Sequence, residues 1–392
     1  METFDFAYFD RGIDRVGTDC EKWDFLRLRE GADVLPMWVA DMDFPSPPAV
    51  SEALVRRAQH ATYGYTEPID ADFTSVIDFW QRHHGLTLTK EEITLLPCVV
   101  TGLRMGVRTM TQPGDSVIIQ PPVYGPFFAS IRDNGRQIVE NPLLHSGDRW
   151  EMDFDGLENC LRGGAKLLLL CNPHNPVGRA WDVDELTRVV ELCARYGAKI
   201  VCDEIHADFV FTPKRHVPIL SIPGAEHVAI SLAAASKTFN VAGLKQAVMF
   251  AKDEAMRAAI VQEMTACGVV SGNQFALVGT RACYLHGDAW LAGLKEYLKA
   301  SREIVYDFIR ERLPHIGVSE LEATYLMWLD CRSLGVSGEE LRRRTIKGAG
   351  VALTDGTFFG AQGEGFLRLN IGCPHAQLRE ALVRLEKALK KD

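Results

Sequence analysis

The chain has 392 residues, of which 47% are hydrophobic and 24% are charged, and its formal net charge is −9. These proportions are typical of a soluble protein with a substantial core, arranged as two domains or as one large α/β domain with an appendage. The negative charge argues against nucleic acid as a partner, because phosphate binding requires a basic face.

The N-terminus and the cysteines predict a cytoplasmic protein. The start of the chain is acidic and lacks a signal-peptide pattern, and no apolar run reaches the ~20 residues that a membrane helix needs. The ten cysteines include no CxxC pair, so we expect no metal site. A reducing compartment and no membrane partner are therefore expected.

Helical and strand patterns alternate through the first 285 residues. Residues 1–44 are rich in charged and aromatic side chains and predict an N-terminal arm, and helices are predicted from residue 48 and at 70–84. Near-continuous apolar strands separated by helices indicate an α/β fold whose mostly parallel sheet is covered by helices on both faces. The large domain, residues 45–285, has predicted strands at 116–120, 167–171, 199–202, 228–232 and 246–251, and a predicted helix at 183–196.

The pattern changes after residue 285. A long helix at 290–312 leads into short strands at 324–329 and 366–370, and the chain ends in a helix at 377–390. These elements predict a smaller α+β domain over residues 286–392, which the N-terminal arm is expected to join.

Three polar side chains follow buried strands at one predicted edge of the large sheet. Asn175 comes after strand 167–171, Asp203 ends the run that begins at Lys199, and Lys237 follows strand 228–232. Ligands of parallel sheets bind beyond the carboxyl ends of the strands. An amine, a carboxylate and an amide suit pyridoxal phosphate: the amine condenses with its aldehyde, the carboxylate holds its ring nitrogen protonated, and the amide bonds its phenolic oxygen.

Further residues near these three complete the predicted cofactor site. His206 is expected to bond the phenolic oxygen or to orient Asp203, with a structural histidine as the rival interpretation. Tyr124 follows a strand and either stacks on the cofactor ring or is a core aromatic. Ser236 offers a hydroxyl, and Lys245 is either a countercharge for the phosphate or a surface lysine.

A helix N-terminus and a buried arginine predict the two anion sites. Val100, Thr101 and Gly102 precede a helix that runs through Met110, and free N–H groups at such a start favour phosphate. Arg368 lies inside an apolar strand, where its guanidinium needs an anion. Its fork suits a substrate carboxylate, which Asn175 can also contact, although a structural carboxylate would serve as well.

Six runs of residues form a recognisable pattern along the sequence. They are Lys-Trp-Asp at 22–24, Leu-Pro-Met-Trp-Val-Ala-Asp-Met-Asp-Phe at 35–44, Tyr-Gly-Tyr-Thr at 63–66, Asp-Glu-Ile-His at 203–206, Ser-Lys-Thr-Phe-Asn at 236–240 and Arg-Leu-Asn-Ile-Gly-Cys-Pro at 368–374. Together they resemble the fold-type I pyridoxal-phosphate enzymes of the aspartate aminotransferase superfamily, and within it the MalY/PatB branch of cystathionine β-lyases and cysteine-S-conjugate β-lyases. The resemblance spans essentially the whole chain.

The resemblance implies a large domain built on a seven-stranded sheet and a homodimer with each active site at the subunit interface. It implies that Tyr65 reaches the phosphate held by the partner subunit, and that Val39 and Ala40 line the substrate carboxylate site. Two positions depart from the superfamily pattern: Ala234 stands where a phosphate-binding serine is frequent, and Lys245 stands where arginine is common.

The function that the resemblance implies is carbon–sulfur β-elimination. L-Cystathionine or another cysteine S-conjugate would yield pyruvate, ammonia and a thiol, with Lys237, Asp203 and Tyr124 as the catalytic residues. An aminotransferase acting on an L-amino acid shares all of these residues and stays open as an alternative. A regulator that binds a transcription factor is a lesser alternative.

Overall fold

Helices and strands alternate along the computed structural model, which describes residues 3–31, 33–211, 213–269 and 272–391. The strands are β1 (Leu35–Pro36), β2 (Ile93–Leu96), β3 (Ser116–Ile119), β4 (Gln137–Glu140), β5 (Leu144–Ser146), β6 (Arg149–Glu151), β7 (Leu167–Cys171), β8 (Lys199–Asp203), β9 (Ala229–Ala233), β10 (Ala247–Phe250), β11 (Gly317–Val318), β12 (Leu326–Asp330), β13 (Val351–Ala352), β14 (Thr354–Asp355) and β15 (Phe366–Asn370). The α-helices are α1 (Phe6–Asp10), α2 (Leu26–Glu30), α3 (Pro48–Gln59), α4 (Asp70–His84), α5 (Val99–Met110), α6 (Pro126–Arg132), α7 (Phe154–Arg162), α8 (Val183–Tyr196), α9 (Ala235–Thr238), α10 (Glu254–Ala266), α11 (Gln274–His286), α12 (Asp288–Arg312), α13 (Gly338–Arg343) and α14 (His375–Leu389).

The large sheet has the strand order β2-β10-β9-β8-β7-β3-β4, seven strands among the residues that the structure describes. Only β10 runs antiparallel to its neighbours in this part of the chain, and the other pairs are parallel. Alternate residues of β8 enter different cores: Ile200 packs in the core that includes α8, and Val201 packs in the core that includes α5. The predicted α/β fold with a mostly parallel, doubly covered sheet is confirmed.

Element boundaries differ from the predicted ones where the chain turns sharply. The apolar run at 95–100 is divided, because Pro97 has no N–H to donate and Cys98 is fully extended before α5 begins at Val99. Strand β9 starts and ends one residue later than predicted, and β8 extends through Asp203. The sequence analysis did not predict α10 and α11, whose weakly amphipathic patterns lie between the last large-sheet strand and the long helix.

A second, antiparallel sheet has the order β11-β12-β15-β14. Strand β1 near the N-terminus pairs in parallel with β13, which lies between β12 and β14 in the chain and is followed at once by β14. The division at residues 44/45 and 285/286 stays a prediction.

A buried carboxylate anchors the N-terminal segment. Asp43 accepts hydrogen bonds from Lys22 Nζ at 3.0 Å, Trp23 Nε1 at 2.9 Å and Gln377 Nε2 at 3.0 Å. Burial opposes ionisation, but Lys22 and the surrounding donors outweigh it and hold the pKa of Asp43 below its usual range. The ammonium of Lys22 is itself buried, and Asp43 is its nearer carboxylate at 3.0 Å, with Asp41 Oδ1 at 4.0 Å.

We expect Asp43→Ala to lower the free energy of unfolding by about 3–5 kcal/mol, because it removes the nearer counter-ion of the buried ammonium of Lys22. Urea denaturation followed by circular dichroism measures the loss. The double variant Asp43→Ala/Lys22→Met should recover part of it, since no unpaired charge remains. A single variant as stable as the wild type would contradict the anchoring role.

Candidate active site

A cavity of about 240 Å³ opens at the carboxyl ends of β7, β8 and β9. Most of the residues predicted for the cofactor contribute to its wall, and they come from separate strand-to-helix connections. The predicted residues that line it are Ala40, Val100, Tyr124, Asn175, Asp203, His206, Ser236, Lys237 and Lys245.

The amine of Lys237 is held at the cavity by the N-terminal segment. Lys237 lies in the short helix α9, directly after β9, and its Nζ donates to the carbonyl of Ala40 at 2.6 Å. The hydroxyl of Tyr325 donates to the same carbonyl at 3.0 Å. Burial lowers the pKa of Lys237 to about 8, against the opposing charges of Asp41 and Asp203. A neutral amine, which is both nucleophile and base, is therefore accessible near neutral pH.

The carboxylate of Asp203 ends β8 and is 4% exposed. One oxygen accepts the amide N–H of Ile205 at 3.0 Å. Burial raises the pKa of this carboxyl to about 7. A carboxylate in this state is stabilised by any cationic group that enters the cavity beside it.

The imidazole of His206 is a neutral neighbour of this carboxylate. Burial lowers the pKa of His206 to about 3, and the charges of Lys237 and Arg368 lower it further. Among the described residues, its Nδ1 has no hydrogen-bond partner. The ring packs edge-on against Tyr325 with centroids 6.0 Å apart.

The guanidinium of Arg368 contacts Asn175 and belongs to β15 of the second, antiparallel sheet. Its Nη1 donates to Asn175 Oδ1 at 3.1 Å, and its Nη2 donates to the carbonyl of Trp38 at 2.9 Å and to Thr354 Oγ1 at 3.2 Å. Within the described chain it forms no ion pair, and its Nε has no partner. Among the described residues, therefore, no carboxylate pairs with Arg368, unlike the structural alternative considered from the sequence.

The first turn of α5 faces the cavity through its initial residues. Cys98 at the N-cap makes no side-chain cap, and the amide of Thr101 bonds the Cys98 carbonyl at 3.1 Å. The amides of Val99 and Val100 precede it and belong to residues that line the cavity, so they are the donors available to an anion.

Thr101 and Gly102 do not line the cavity. The hydroxyl of Thr101 lies 3.3 Å from Cys98 Sγ. A Cβ at Gly102 would meet Leu232 Cδ2 at 2.5 Å, so this glycine permits the close approach of α5 to the sheet. The start of α5 thus lies at the cavity, with Thr101 and Gly102 farther along the helix, and the anion site predicted there stays a prediction.

Two further predicted residues lie away from the cavity wall. Tyr65 is fully exposed. The carbonyl of Val39 accepts from Asn370 Nδ2, which also bonds the carbonyl of Asp41 at 2.7 Å. Asn370 was part of a predicted motif without a predicted role of its own, and Tyr325 was not predicted, because its sequence surroundings resemble those of any core tyrosine.

Among the residues that the structure describes, no group of three or more His, Cys, Asp or Glu side chains is arranged to hold a metal ion. Across the same residues, no helix combines the length and apolarity that spanning a bilayer requires.

A family model described as aminotransferase class I and II matches residues 32–385. The chain belongs to the aminotransferase class I and II family. Cystathionine beta-lyase PatB of Bacillus subtilis (strain 168) is 40% identical over 384 residues, which cover 97% of this chain and 99% of that protein. Protein MalY of Escherichia coli (strain K12) is 32% identical over 97% of this chain and 98% of its own length. The predicted resemblance to the MalY/PatB branch is confirmed.

Solved structures of this aminotransferase fold match the chain along its length. Cystalysin from Treponema denticola, whose crystal structure contains a pyridoxal 5'-phosphate cofactor, superposes with a TM-score of 0.94 at 32% identity, covering 97% of this chain and 98% of cystalysin. The pyridoxal-phosphate-bound C-S lyase from Staphylococcus hominis has a TM-score of 0.91 at 28% identity and covers 98% of each chain.

The buried carboxyl of Asp203 makes the free energy of unfolding of the ligand-free protein depend on pH. Its pKa is 3.8 ordinarily and about 7 in the folded chain, so the folded state binds the extra proton and stability falls as pH rises from 3.8 to about 7. Asp203→Asn cannot ionise. Its free energy of unfolding relative to wild type should therefore increase by about 3 kcal/mol between pH 5 and pH 8 in urea titrations. A difference independent of pH would contradict this.

Proposed function

We propose that the chain is a pyridoxal-phosphate-dependent carbon–sulfur β-lyase, which cleaves L-cystathionine or a related cysteine S-conjugate to a thiol, pyruvate and ammonia. The observation that carries the proposal is that one cavity holds both the partly buried amine of Lys237 and the buried carboxyl of Asp203. Full-length similarity to PatB supports the reaction class.

The side chains fit pyridoxal phosphate. The amine of Lys237 suits its aldehyde, and the buried Asp203 suits a protonated ring nitrogen. The first amides of α5 suit its phosphate, with Ser236 and Lys245 as further donors. The phenolic oxygen has Asn175 and His206 as partners, and Tyr124 supplies an aromatic ring that stacks on the cofactor. The cofactor supplies an electron sink for the bond that breaks at the substrate's α-carbon.

The chain's own groups position the substrate and move its protons. The fork of Arg368 binds the α-carboxylate, with Asn175 beside it, and so fixes the direction of the Cα–H bond. The Nζ of Lys237 takes the α-proton. Loss of that proton and cleavage of the Cβ–S bond release a thiolate, which is protonated, and water converts the remaining three-carbon fragment into pyruvate and ammonia.

The purified, cofactor-loaded protein tests the reaction with L-cystathionine in the absence of any keto acid. Release of pyruvate and free thiol in equal amounts is the expected result. Amino transfer to an added keto acid without pyruvate release would instead support the aminotransferase alternative. A protein that binds no pyridoxal phosphate would overturn the proposal.

We also infer a cytoplasmic homodimer in which Tyr65 serves the partner subunit's phosphate site. Tyr65 is fully exposed, and Tyr63 and Ile69 of the same segment are largely exposed as well. Each of the ten cysteines is a free thiol, which suits a reducing compartment.

Complementation tests the shared site. Tyr65→Ala and Lys237→Ala chains should each have reduced activity alone, and refolding them as a mixture should restore about a quarter of wild-type activity, because half of the random dimers carry one intact site of two. Light scattering should give twice the chain mass of 43.6 kDa. A mixture that gains no activity would contradict the shared site.

A further inference from the structure

Strand pairing places Gln246 beside the N-terminus of α5. In the antiparallel pair of β10 and β2, Ala247 is opposite Leu96. Gln246 precedes Ala247, and Pro97 follows Leu96, so Gln246 comes opposite Pro97 at the point where the chain turns into α5. Both residues line the cavity together with Val99 and Val100. Gln246 therefore adjoins the helix start whose free amides suit an anion.

The carboxamide of Gln246 is buried and incompletely bonded. The residue is 6% exposed, and its Nε2 donates to the carbonyl of Ala247 at 3.3 Å. An amide nitrogen has two hydrogens, so one N–H is left for another acceptor. Its Oε1 has no hydrogen-bond partner among the described residues. The second N–H of Nε2, at the cavity wall, is therefore free to donate to an acceptor that a ligand brings.

We infer that Gln246 is a ligand of the cofactor phosphate, to which its second N–H donates. This inference rests on the proposed pyridoxal phosphate cofactor and adds a residue that the sequence analysis did not select. Lys245 turns the chain here, with φ at 58°, and this exposed residue lines the same cavity. Gln246 thus supplies a buried neutral donor, and Lys245 supplies the charge.

A purely structural role for Gln246 makes a different prediction. The residue also borders a small cavity between α4 and α11, next to Val76 and Leu277. If Gln246 only packs there, its replacement changes the stability of the fold and lowers the affinity for every ligand of the main cavity by a similar factor. Pyridoxal separates the two roles, because it keeps the ring and the aldehyde but lacks the phosphate.

The experiment measures dissociation constants of pyridoxal phosphate and pyridoxal by absorbance titration of the full-length chain stripped of cofactor. Gln246→Leu keeps the volume and removes the N–H. We expect this variant to raise the dissociation constant of pyridoxal phosphate about 10- to 100-fold, because one hydrogen bond to a charged group is lost. The dissociation constant of pyridoxal should change less than about twofold. Gln246→Glu is isosteric and adds a negative charge, so it should raise the dissociation constant of pyridoxal phosphate further. Gln112→Leu, at an exposed position outside the cavity, is the matched control.

The outcomes separate this inference from the proposed function. If wild-type protein fails to bind pyridoxal phosphate, the proposed function falls and this inference with it. If wild-type protein binds pyridoxal phosphate and both Gln246 variants lower the affinity for pyridoxal phosphate and pyridoxal equally, or lower neither affinity, the inference alone is overturned. Thermal unfolding of each variant verifies that a lost affinity is not a lost fold, and Gln246→Glu covers the case in which Gln246→Leu does not fold.

Discussion

Replacing Lys237 with alanine is expected to lower the rate of pyruvate release from L-cystathionine by about 10³- to 10⁴-fold. The loss has a physical cause in the cavity, where burial lowers the pKa of this amine to about 8. A neutral amine near neutral pH serves as the general base for the α-proton, and a positioned base contributes about 10²- to 10⁴-fold. Alanine also removes the nucleophile that suits the cofactor aldehyde. Steady-state assays with excess pyridoxal phosphate measure the effect.

Two further variants make this result specific to the amine. Lys237→Arg keeps a positive charge but supplies neither a nucleophile nor a base at neutral pH, so it should be as inactive as the alanine variant. Lys166→Ala removes an exposed lysine at the opposite, amino end of β7 and should leave the rate unchanged. Retention of more than about a tenth of the activity by Lys237→Ala would show that another group takes the proton.

The grouping of Asn175, Asp203 and Lys237 at one cavity was predictable because its signals are local. Asn175, Asp203 and Lys237 each follow a run of apolar residues, and such runs are long enough to identify buried strands without knowledge of their partners. The topology of parallel sheets then brings the ends of β7, β8 and β9 to one edge. The cavity wall therefore follows from the sequence by a short chain of reasoning.

Other parts of the site depend on contacts between distant segments. The carbonyls of Trp38 and Ala40 accept from Arg368 and Lys237, pairs separated by 330 and 197 residues. No periodicity specifies such pairs, and only the resemblance suggested that this segment lines the site. Gln246 escaped prediction for a related reason, since its place beside α5 is set by the antiparallel register of β10, which the apolar pattern does not reveal.

Replacing Arg368 with alanine is expected to lower kcat/KM for L-cystathionine by about 10²- to 10⁴-fold with little loss of stability. Each hydrogen bond to a charged group contributes about 1.5–3 kcal/mol, and the fork of Arg368 can offer two to a carboxylate. Arg368→Lys keeps the charge but loses the planar fork, so we expect an intermediate loss. Kinetic assays at saturating cofactor measure both.

Stability separates a substrate role for Arg368 from a structural one. If the guanidinium neutralised a buried carboxylate, its removal would leave that charge unpaired and would cost about 3–5 kcal/mol of the free energy of unfolding. Its partners among the described residues are instead neutral oxygens of Asn175, Trp38 and Thr354, and burial already lowers the pKa of Arg368 to about 10. We therefore expect urea denaturation of Arg368→Ala to show a loss below about 2 kcal/mol, the scale of an unsatisfied neutral hydrogen bond. A large loss of stability with kcat/KM preserved would reverse the assignment and make this arginine part of the scaffold.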